Sequence, residues 1–273
     1  MDFANLIKYL FFYGASCRTY LLKYFSASWN LFFTNFLLVP LGPVAFFPLN
    51  GQYETTDISH NHNPPGEVSN VELAPGPGGN IGGSYQFWGN LTSFIKFPNL
   101  GGLDTRYSMT LLAWLYHEQT RGPIFNYFSP GYYGVRFMVS EQGYFFVELR
   151  TSENTTLKSL VGSVVQEKTW HFVGSSYNYV NGEFTIWLNG SVDNRAVVDT
   201  PVELATQESA FMGAASNSHF KGRISCLQLY DRVLSEFEIQ DAKQLCSATG
   251  GKIVRYLSHL CGFSSSLCIL TSA

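Results

Sequence analysis

The sequence contains little charge, and the charge that it has is scattered. Only 14% of the 273 residues are Asp, Glu, Lys or Arg, and the formal net charge is −3. No run of like charges occurs. Because a nucleic-acid-binding surface needs a basic patch or stripe, this pattern argues against nucleic acid as a partner.

A phosphate-binding loop is also missing. Residues 64–83 are rich in proline and glycine, but they have no Gly-Lys-Ser/Thr ending and no strand-to-helix context. We therefore interpret this stretch as loop-rich.

An apolar N-terminal segment occupies residues 1–41. No charged residue occurs between Lys23 and Glu54. Its most apolar run, residues 29–39, is shorter than the ~20 residues that a membrane-spanning helix needs. Three interpretations are open: a signal sequence, a signal anchor that holds the protein in the membrane with Arg18 and Lys23 on the cytosolic side, or a wrongly assigned start.

Cysteine is sparse, and its number is odd. With five cysteines, at least one has no partner within the chain, and the partners of Cys17, Cys261 and Cys268 are left open. Three Asn-x-Ser/Thr sequons are candidate glycosylation sites and favour the secretory route. They start at Asn90, Asn154 and Asn189.

The remaining sequence is dominated by short strand-like segments. In residues 182–190, Phe184, Ile186 and Leu188 alternate with more polar positions, and an Asn-Gly turn ends the segment. Similar segments, separated by glycines, occupy residues 94–97, 107–116, 123–128, 133–139, 144–150, 170–173 and 220–231. This spacing is typical of an all-β sandwich rather than an α/β fold.

A short helix is predicted after the last strand. Ser235 fits the N-cap and Glu238 completes a capping box. Leu234, Phe237, Ile239 and Ala242 supply its apolar residues, and Cys246 follows it.

Four pieces of sequence occur in a characteristic order. They are Trp170-His171, Leu188-Asn189-Gly190, Phe220-Lys221-Gly222-Arg223-Ile224 and Tyr230-Asp231-Arg232-Val233-Leu234-Ser235. This succession resembles the laminin G-like and pentraxin-like jelly rolls of the concanavalin A-like lectin superfamily. The resemblance implies a two-sheet antiparallel β-sandwich (a jelly roll) with a short C-terminal helix over residues 42–246. Residues 247–273 are then a tail, expected to be disordered or a small helix.

The resemblance also implies two structural features. Laminin G-like domains often carry a disulfide in the relation of Cys226 to Cys246, although two buried free thiols are the alternative. Residues 57–63 resemble the Asp-x-Ser-Gly-Asn-x-Asn loop of the superfamily, with His60 in the place of glycine. Many of these jelly rolls hold calcium between loops, so Asp57 and Asn61 are candidate ligands of a structural calcium ion. The alternative for Asp57 is an Asx turn.

Catalysis is not expected. Glycoside hydrolases of this fold use two acidic residues that alternate on one strand, whereas Glu148 stands alone on its strand. Pentraxins bind ligands through calcium held by carboxylates, but Gly213 is followed here by Ala214-Ala215-Ser216-Asn217. Tyrosines near predicted loops could stack on sugar rings, or could simply lie at the surface; these are Tyr127, Tyr132, Tyr133, Tyr177 and Tyr179.

The sequence therefore predicts a non-catalytic, extracellular recognition module that binds a glycan or an extracellular protein. Two alternatives are kept: a structural module of a larger adhesion protein or of a truncated gene model, and a degenerate glycoside hydrolase that lacks its catalytic carboxylates. The oligomeric state is left open.

Overall fold

A computed structural model describes residues 42–245, apart from residues 119–121, 130–131, 154 and 216–217. The described chain forms seventeen strands and one helix. The strands are β1 (Ala45–Phe47), β2 (Glu67–Ser69), β3 (Val71–Ala74), β4 (Ser84–Trp88), β5 (Phe94–Phe97), β6 (Met109–His117), β7 (Gly122–Ser129), β8 (Tyr132–Val139), β9 (Tyr144–Arg150), β10 (Thr156–Val164), β11 (Trp170–Tyr177), β12 (Glu183–Leu188), β13 (Ser191–Val197), β14 (Ala210–Met212), β15 (Ala214–Ala215), β16 (Ser218–His219) and β17 (Lys221–Tyr230), and the helix is α1 (Glu236–Gln244).

The strands form two large antiparallel sheets. The eight-stranded sheet has the order β13-β12-β11-β6-β17-β4-β3, with β1 also paired to β17. The seven-stranded sheet has the order β10-β9-β8-β7-β14-β5-β2. Strands β15 and β16 make a separate hairpin. This architecture confirms the predicted jelly-roll β-sandwich.

The main core lies between the two sheets. Alternate residues of each strand point into it, such as Phe125 and Tyr127 from β7 and Leu111 and Leu115 from β6. On β12 the predicted alternation is confirmed for Phe184, which is fully buried. This periodicity of two is what a pleated strand with one face on a core imposes.

The other face of β12 is buried as well, because α1 covers it. Trp187 is only 4% exposed and packs in a second apolar cluster with Phe172, Ile239 and Ala242. The sequence predicted this helix and its cap correctly: Ser235 accepts a hydrogen bond from the Glu238 amide, and the Glu238 carboxylate accepts one from the Ser235 amide. Phe237 does not join the apolar face and is 71% exposed.

Four of the strands that sequence reasoning missed, β2, β3, β10 and β13, lie at sheet edges. Strands β2 and β3 lie within or beside the stretch interpreted as loop-rich, and β10 and β13 are edge strands with mostly exposed residues. Among the described residues, no helix is long and apolar enough to cross a membrane. The predictions for residues 1–41, for the tail and for Cys17, Cys246, Cys261 and Cys268 fall outside the described residues and stay predictions.

Candidate functional site

The register of the seven-stranded sheet aligns one residue from each strand across its outer face. Neighbouring residues in this line are direct cross-strand partners. We call this line the outer row; from β2 to β10 it is Glu67, Lys96, Phe211, Asn126, Arg136, Glu148 and Ser159. The flanking residues Phe125, Tyr127 and Met212 point into the core, so the outer row faces away from it.

Four aromatic rings lie beside the centre of the outer row. The centroid of Phe211 lies 5.7 Å from that of Phe128 and 5.8 Å from that of Phe94. Tyr133 extends this aromatic group, with its centroid 5.8 Å from that of Phe128. Phe128 is 41% exposed, so the group presents an amphipathic or apolar ring surface to a ligand.

Two arginines share the carboxylate of Glu148 at the other end of the outer row. Arg136 Nη2 lies 2.9 Å from Glu148 Oε2, and Arg150 Nε lies 2.5 Å from Oε1. Burial alone would raise the pKa of Glu148, but the hydrogen bonds from Arg150 and Arg136 outweigh burial and hold that pKa below its usual range. Glu148 is therefore a permanent carboxylate at neutral pH.

This lowered pKa makes a testable contribution to acid stability. A carboxyl group whose pKa is lower in the folded than in the unfolded protein stabilises the fold above its unfolded pKa of about 4.3. That stabilisation is lost as the pH falls through the folded value. We expect Glu148→Gln to lower the free energy of unfolding at pH 7 by about 1 to 2 kcal/mol, and to lower it much less at pH 3.

Urea unfolding curves at the two pH values measure this difference. Glu153→Gln is the matched control, because Glu153 is exposed, and it should change neither curve appreciably. An equal loss of stability from Glu148→Gln at both pH values would contradict the assigned role of the carboxylate.

Asn126 lies at the centre of the outer row with unmet hydrogen-bonding capacity. It is 1% exposed, yet neither Oδ1 nor Nδ2 has a hydrogen-bond partner among the described residues. Its cross-strand partner Arg136 leaves Nε without a partner too. Buried polar side chains are usually hydrogen-bonded, and an exception calls for an explanation.

The predicted calcium ligand Asp57 is also buried, at 2% exposed. Its Oδ1 accepts hydrogen bonds from the amides of Phe46 and Ser59 at 2.7 and 2.9 Å. Its Oδ2 accepts from Asn63 N, Asn63 Nδ2 and Ser59 Oγ at 2.8, 2.7 and 2.8 Å. Calcium at this carboxylate would have to displace these donors.

The second predicted ligand, Asn61, lies in the same loop and donates from Nδ2 to the Val44 carbonyl. Within the described ranges, no group of three or more His, Cys, Asp or Glu side chains is arranged to hold a metal ion. The structural calcium stays a prediction.

The tyrosines singled out from the sequence divide between core and surface. Tyr127 and Tyr177 are fully buried, and Tyr127 donates to the Leu103 carbonyl at 2.7 Å. Tyr179 is 37% exposed, but it follows β11 of the eight-stranded sheet. Its ring contacts that of Tyr107. Only Tyr133 contributes to the aromatic group, and the side chain of Tyr132 is outside the described part.

His171 of the Trp170-His171 motif and the sequon asparagines have local structural roles. His171 is 9% exposed, and its Nε2 accepts from the Gln166 amide. Asn90 and Asn189 are exposed, while Asn154 falls outside the described residues. Asn90 Oδ1 accepts from the Thr92 amide, and Asn189 Oδ1 accepts from the Phe172 amide. Glycosylation at the three sequons stays a prediction.

A family model described as the concanavalin A-like lectin/glucanases superfamily matches residues 89–240. The chain belongs to this superfamily. No curated protein gives a significant match by sequence. The family match includes the aromatic group and every member of the outer row except Glu67.

Solved structures similar to this concanavalin A-like domain include toxin binding domains. The binding domain of Paraclostridial Mosquitocidal Protein 1 has a TM-score of 0.61 at 13% identity, with 73% of this chain and 51% of that chain covered. The botulinum neurotoxin serotype D ligand binding domain in complex with N-acetylneuraminic acid has a TM-score of 0.60 at 14% identity, with 74% and 50% covered.

A third similar structure is the binding domain of botulinum neurotoxin DC in complex with rat synaptotagmin II, with a TM-score of 0.58 at 13% identity and 75% and 52% covered. At such identities the likeness shows the fold alone. The chain spans about half the length of these binding domains.

Sequence reasoning did not find the outer row of this concanavalin A-like domain. One local signal was present: Asn126 is a single amide within an otherwise apolar and aromatic run, residues 124–128. The grouping itself depends on β14 pairing between β5 and β7, and no local pattern reveals that pairing.

Proposed function

We propose that this domain is a non-catalytic recognition module that binds glycans through the outer face of its seven-stranded sheet. The observation that carries the proposal is the outer row, in which Asn126 and Arg136 lie beside the aromatic group. Aromatic rings provide a flat surface for the apolar face of a sugar ring. The neighbouring amide and guanidinium groups offer the directional hydrogen bonds that fix a ligand in a binding site.

The state of Glu148 supports binding without catalysis. A glycosidase needs a general acid whose pKa is raised, and a second carboxyl group beside the scissile bond. Glu148 has a lowered pKa because two arginines hold its charged form. Both of its oxygens therefore form ion pairs. Because these ion pairs favour the ionised form, Glu148 is poorly suited to act as a proton donor.

An extracellular location is part of the proposal. The exposed sequon asparagines Asn90 and Asn189 support it. A disulfide between the buried Cys226 and Cys246 belongs to the same proposal. A loop of this length would stabilise the fold by about 3 kcal/mol in loop-entropy models. The structural calcium and an N-terminal signal or anchor in residues 1–41 remain parts of the same proposal.

The similar toxin domains suggest which ligands to test. One was solved with N-acetylneuraminic acid and another with rat synaptotagmin II. These ligands belong to those proteins. They motivate a search that includes neutral glycans, acidic glycans and, as the second class of partner, extracellular proteins.

A glycan-array screen of the full 273-residue chain tests the proposal, run with calcium and again with chelator. We expect binding to a defined glycan class, and Phe128→Ala should weaken it about tenfold or more, because loss of a stacking surface worth ~1.4 kcal/mol has that effect. Phe237→Ala is the matched control, since Phe237 is 71% exposed on α1 and away from the outer row.

Two results would contradict the proposal. Equal binding by Phe128→Ala and wild type would exclude the outer face as the site. The absence of glycan binding by folded wild-type protein would exclude glycan recognition and leave an extracellular protein as the partner. Loss of binding in chelator alone would assign calcium a part in the mechanism.

A further inference from the structure

We infer that Asn126 determines the specificity of this face and receives a hydroxyl group of an uncharged sugar residue. The inference rests on the proposed function and names the ligand class for the same site. Three buried polar atoms without hydrogen-bond partners belong to two facing residues of β7 and β8.

The three atoms are Asn126 Oδ1, Asn126 Nδ2 and Arg136 Nε. Asn126 and Arg136 are direct cross-strand partners, so their Cβ atoms lie about 4.5–5.5 Å apart. Together the atoms offer one hydrogen-bond acceptor and two donors. Each is inaccessible to solvent, so a ligand that satisfies them has a strong advantage over water.

A hydroxyl group is the chemical group that matches this set. It can donate to Oδ1 and accept from Nδ2 or Nε at the same point. A carboxylate or sulfate only accepts hydrogen bonds, so it would face the Oδ1 lone pairs without a proton to offer. An ammonium group only donates, and it would meet the two donors.

An ion pair on Arg136 leaves Nε as its buried donor without a partner. The guanidinium of Arg136 already pairs with the Glu148 carboxylate at 2.9 Å. Its Nη2 is therefore engaged in an ion pair, and Nε is its buried N–H donor without a partner.

The aromatic group explains how a sugar would reach Asn126. Phe211 lies opposite Asn126 on β14, and Phe128 lies two residues further along β7. The centroids of these two rings are 5.7 Å apart. Because Phe128 is 41% exposed, its side chain can change rotamer rapidly. A sugar ring stacked on these side chains would then place one hydroxyl against the amide.

The competing explanation is that an internal water satisfies Asn126, as water does for many buried polar groups. The substitution Asn126→Leu separates the two explanations, because leucine is similar in size and removes the unpaired amide. We expect the variant to melt at a higher temperature than wild type and yet to bind the array's neutral glycans about tenfold more weakly or worse.

Wild type and Asn126→Leu, both as the full chain, should be compared on matched pairs of glycans with and without sialic acid or sulfate. We expect wild type to prefer the neutral member of each pair. Arg136→Lys provides a second test that keeps the positive charge near Glu148 and removes the Nε donor; it should weaken neutral-glycan binding several-fold even if Asn126→Leu fails to fold.

The outcomes distinguish this inference from the proposed function. If Phe128→Ala loses binding while Asn126→Leu and Arg136→Lys bind like wild type, the face binds glycans and the role of Asn126 is wrong. A wild-type preference for the acidic glycans would overturn the inference too. If folded wild type binds no glycan, both proposals fail together.

Discussion

Asp57→Ala should lower the free energy of unfolding by about 3 to 5 kcal/mol, one of the two largest effects that we expect from a single substitution in this chain. The Asp57 carboxylate accepts five hydrogen bonds from Phe46, Ser59 and Asn63. Three of the donors are backbone amides. Removing the carboxylate leaves them buried with no acceptor, and each orphaned donor costs about 1 to 3 kcal/mol.

The effect should spread from the loop to the sheet. The hydrogen bond from Phe46 N at 2.7 Å ties the loop to β1, and β1 pairs with the central strand β17. Urea unfolding followed by tryptophan fluorescence should show a lower midpoint with an unchanged slope. Asp199→Ala is the control, because Asp199 is exposed, and it should change stability by less than about 0.5 kcal/mol.

The same measurement tests the predicted calcium ion. If the carboxylate serves only the five hydrogen bonds, chelator will leave the unfolding curve of wild type unchanged. If calcium binds there, chelator will lower the stability of wild type and have no effect on Asp57→Ala. A mild effect of Asp57→Ala, below about 1 kcal/mol, would contradict the structural role.

Gly222→Ala should destabilise the domain by about 3 kcal/mol or more. Gly222 has a φ angle of +145°, and a Cβ atom there would lie 2.2 Å from the Tyr116 carbonyl oxygen and 2.8 Å from the His117 Cα. Both contacts are with the backbone of β6, which is paired to β17 at this point. A rigid strand cannot move aside as a flexible side chain could, so the two central strands would have to separate.

Thermal unfolding and the yield of folded protein measure this effect. Gly42→Ala is the matched control, because no atom of the described residues, its chain neighbours aside, lies within 4 Å of a Cβ at Gly42. It should leave the melting temperature nearly unchanged. A melting temperature for Gly222→Ala within a degree or two of wild type would show that β6 and β17 tolerate a wider spacing than their register implies.

The parts of the fold that could be predicted are those in which burial leaves a local pattern. The alternation of Phe184 and Ile186 on β12 and the capping box of Ser235 and Glu238 are both complete within a few residues of sequence. Strands β10 and β13 could not be recognised in the same way. Most of their residues are exposed, so burial imposes no alternation on them.

The candidate site could be predicted only in pieces. The sequence predicts that Tyr133 lies near a loop and that Glu148 is a lone carboxylate on its strand. Their shared surface depends on Phe211, which comes from a three-residue strand far along the chain that inserts between β5 and β7. Long-range pairing of this kind is set by the packing of the whole sandwich, so the local periodicity of the sequence does not predict it.

The position of β17 in the eight-stranded sheet has a consequence for biosynthesis. This strand comes last among the seventeen, yet it pairs with β1, β4 and β6. Almost the whole sandwich therefore emerges from the ribosome before β17, which connects β4 and β6 in the eight-stranded sheet, is available. Until then β4 and β6 have exposed pairing edges, which favour association between chains. We expect slow folding after synthesis, and a nascent chain halted before Lys221 should depend on chaperones to stay soluble.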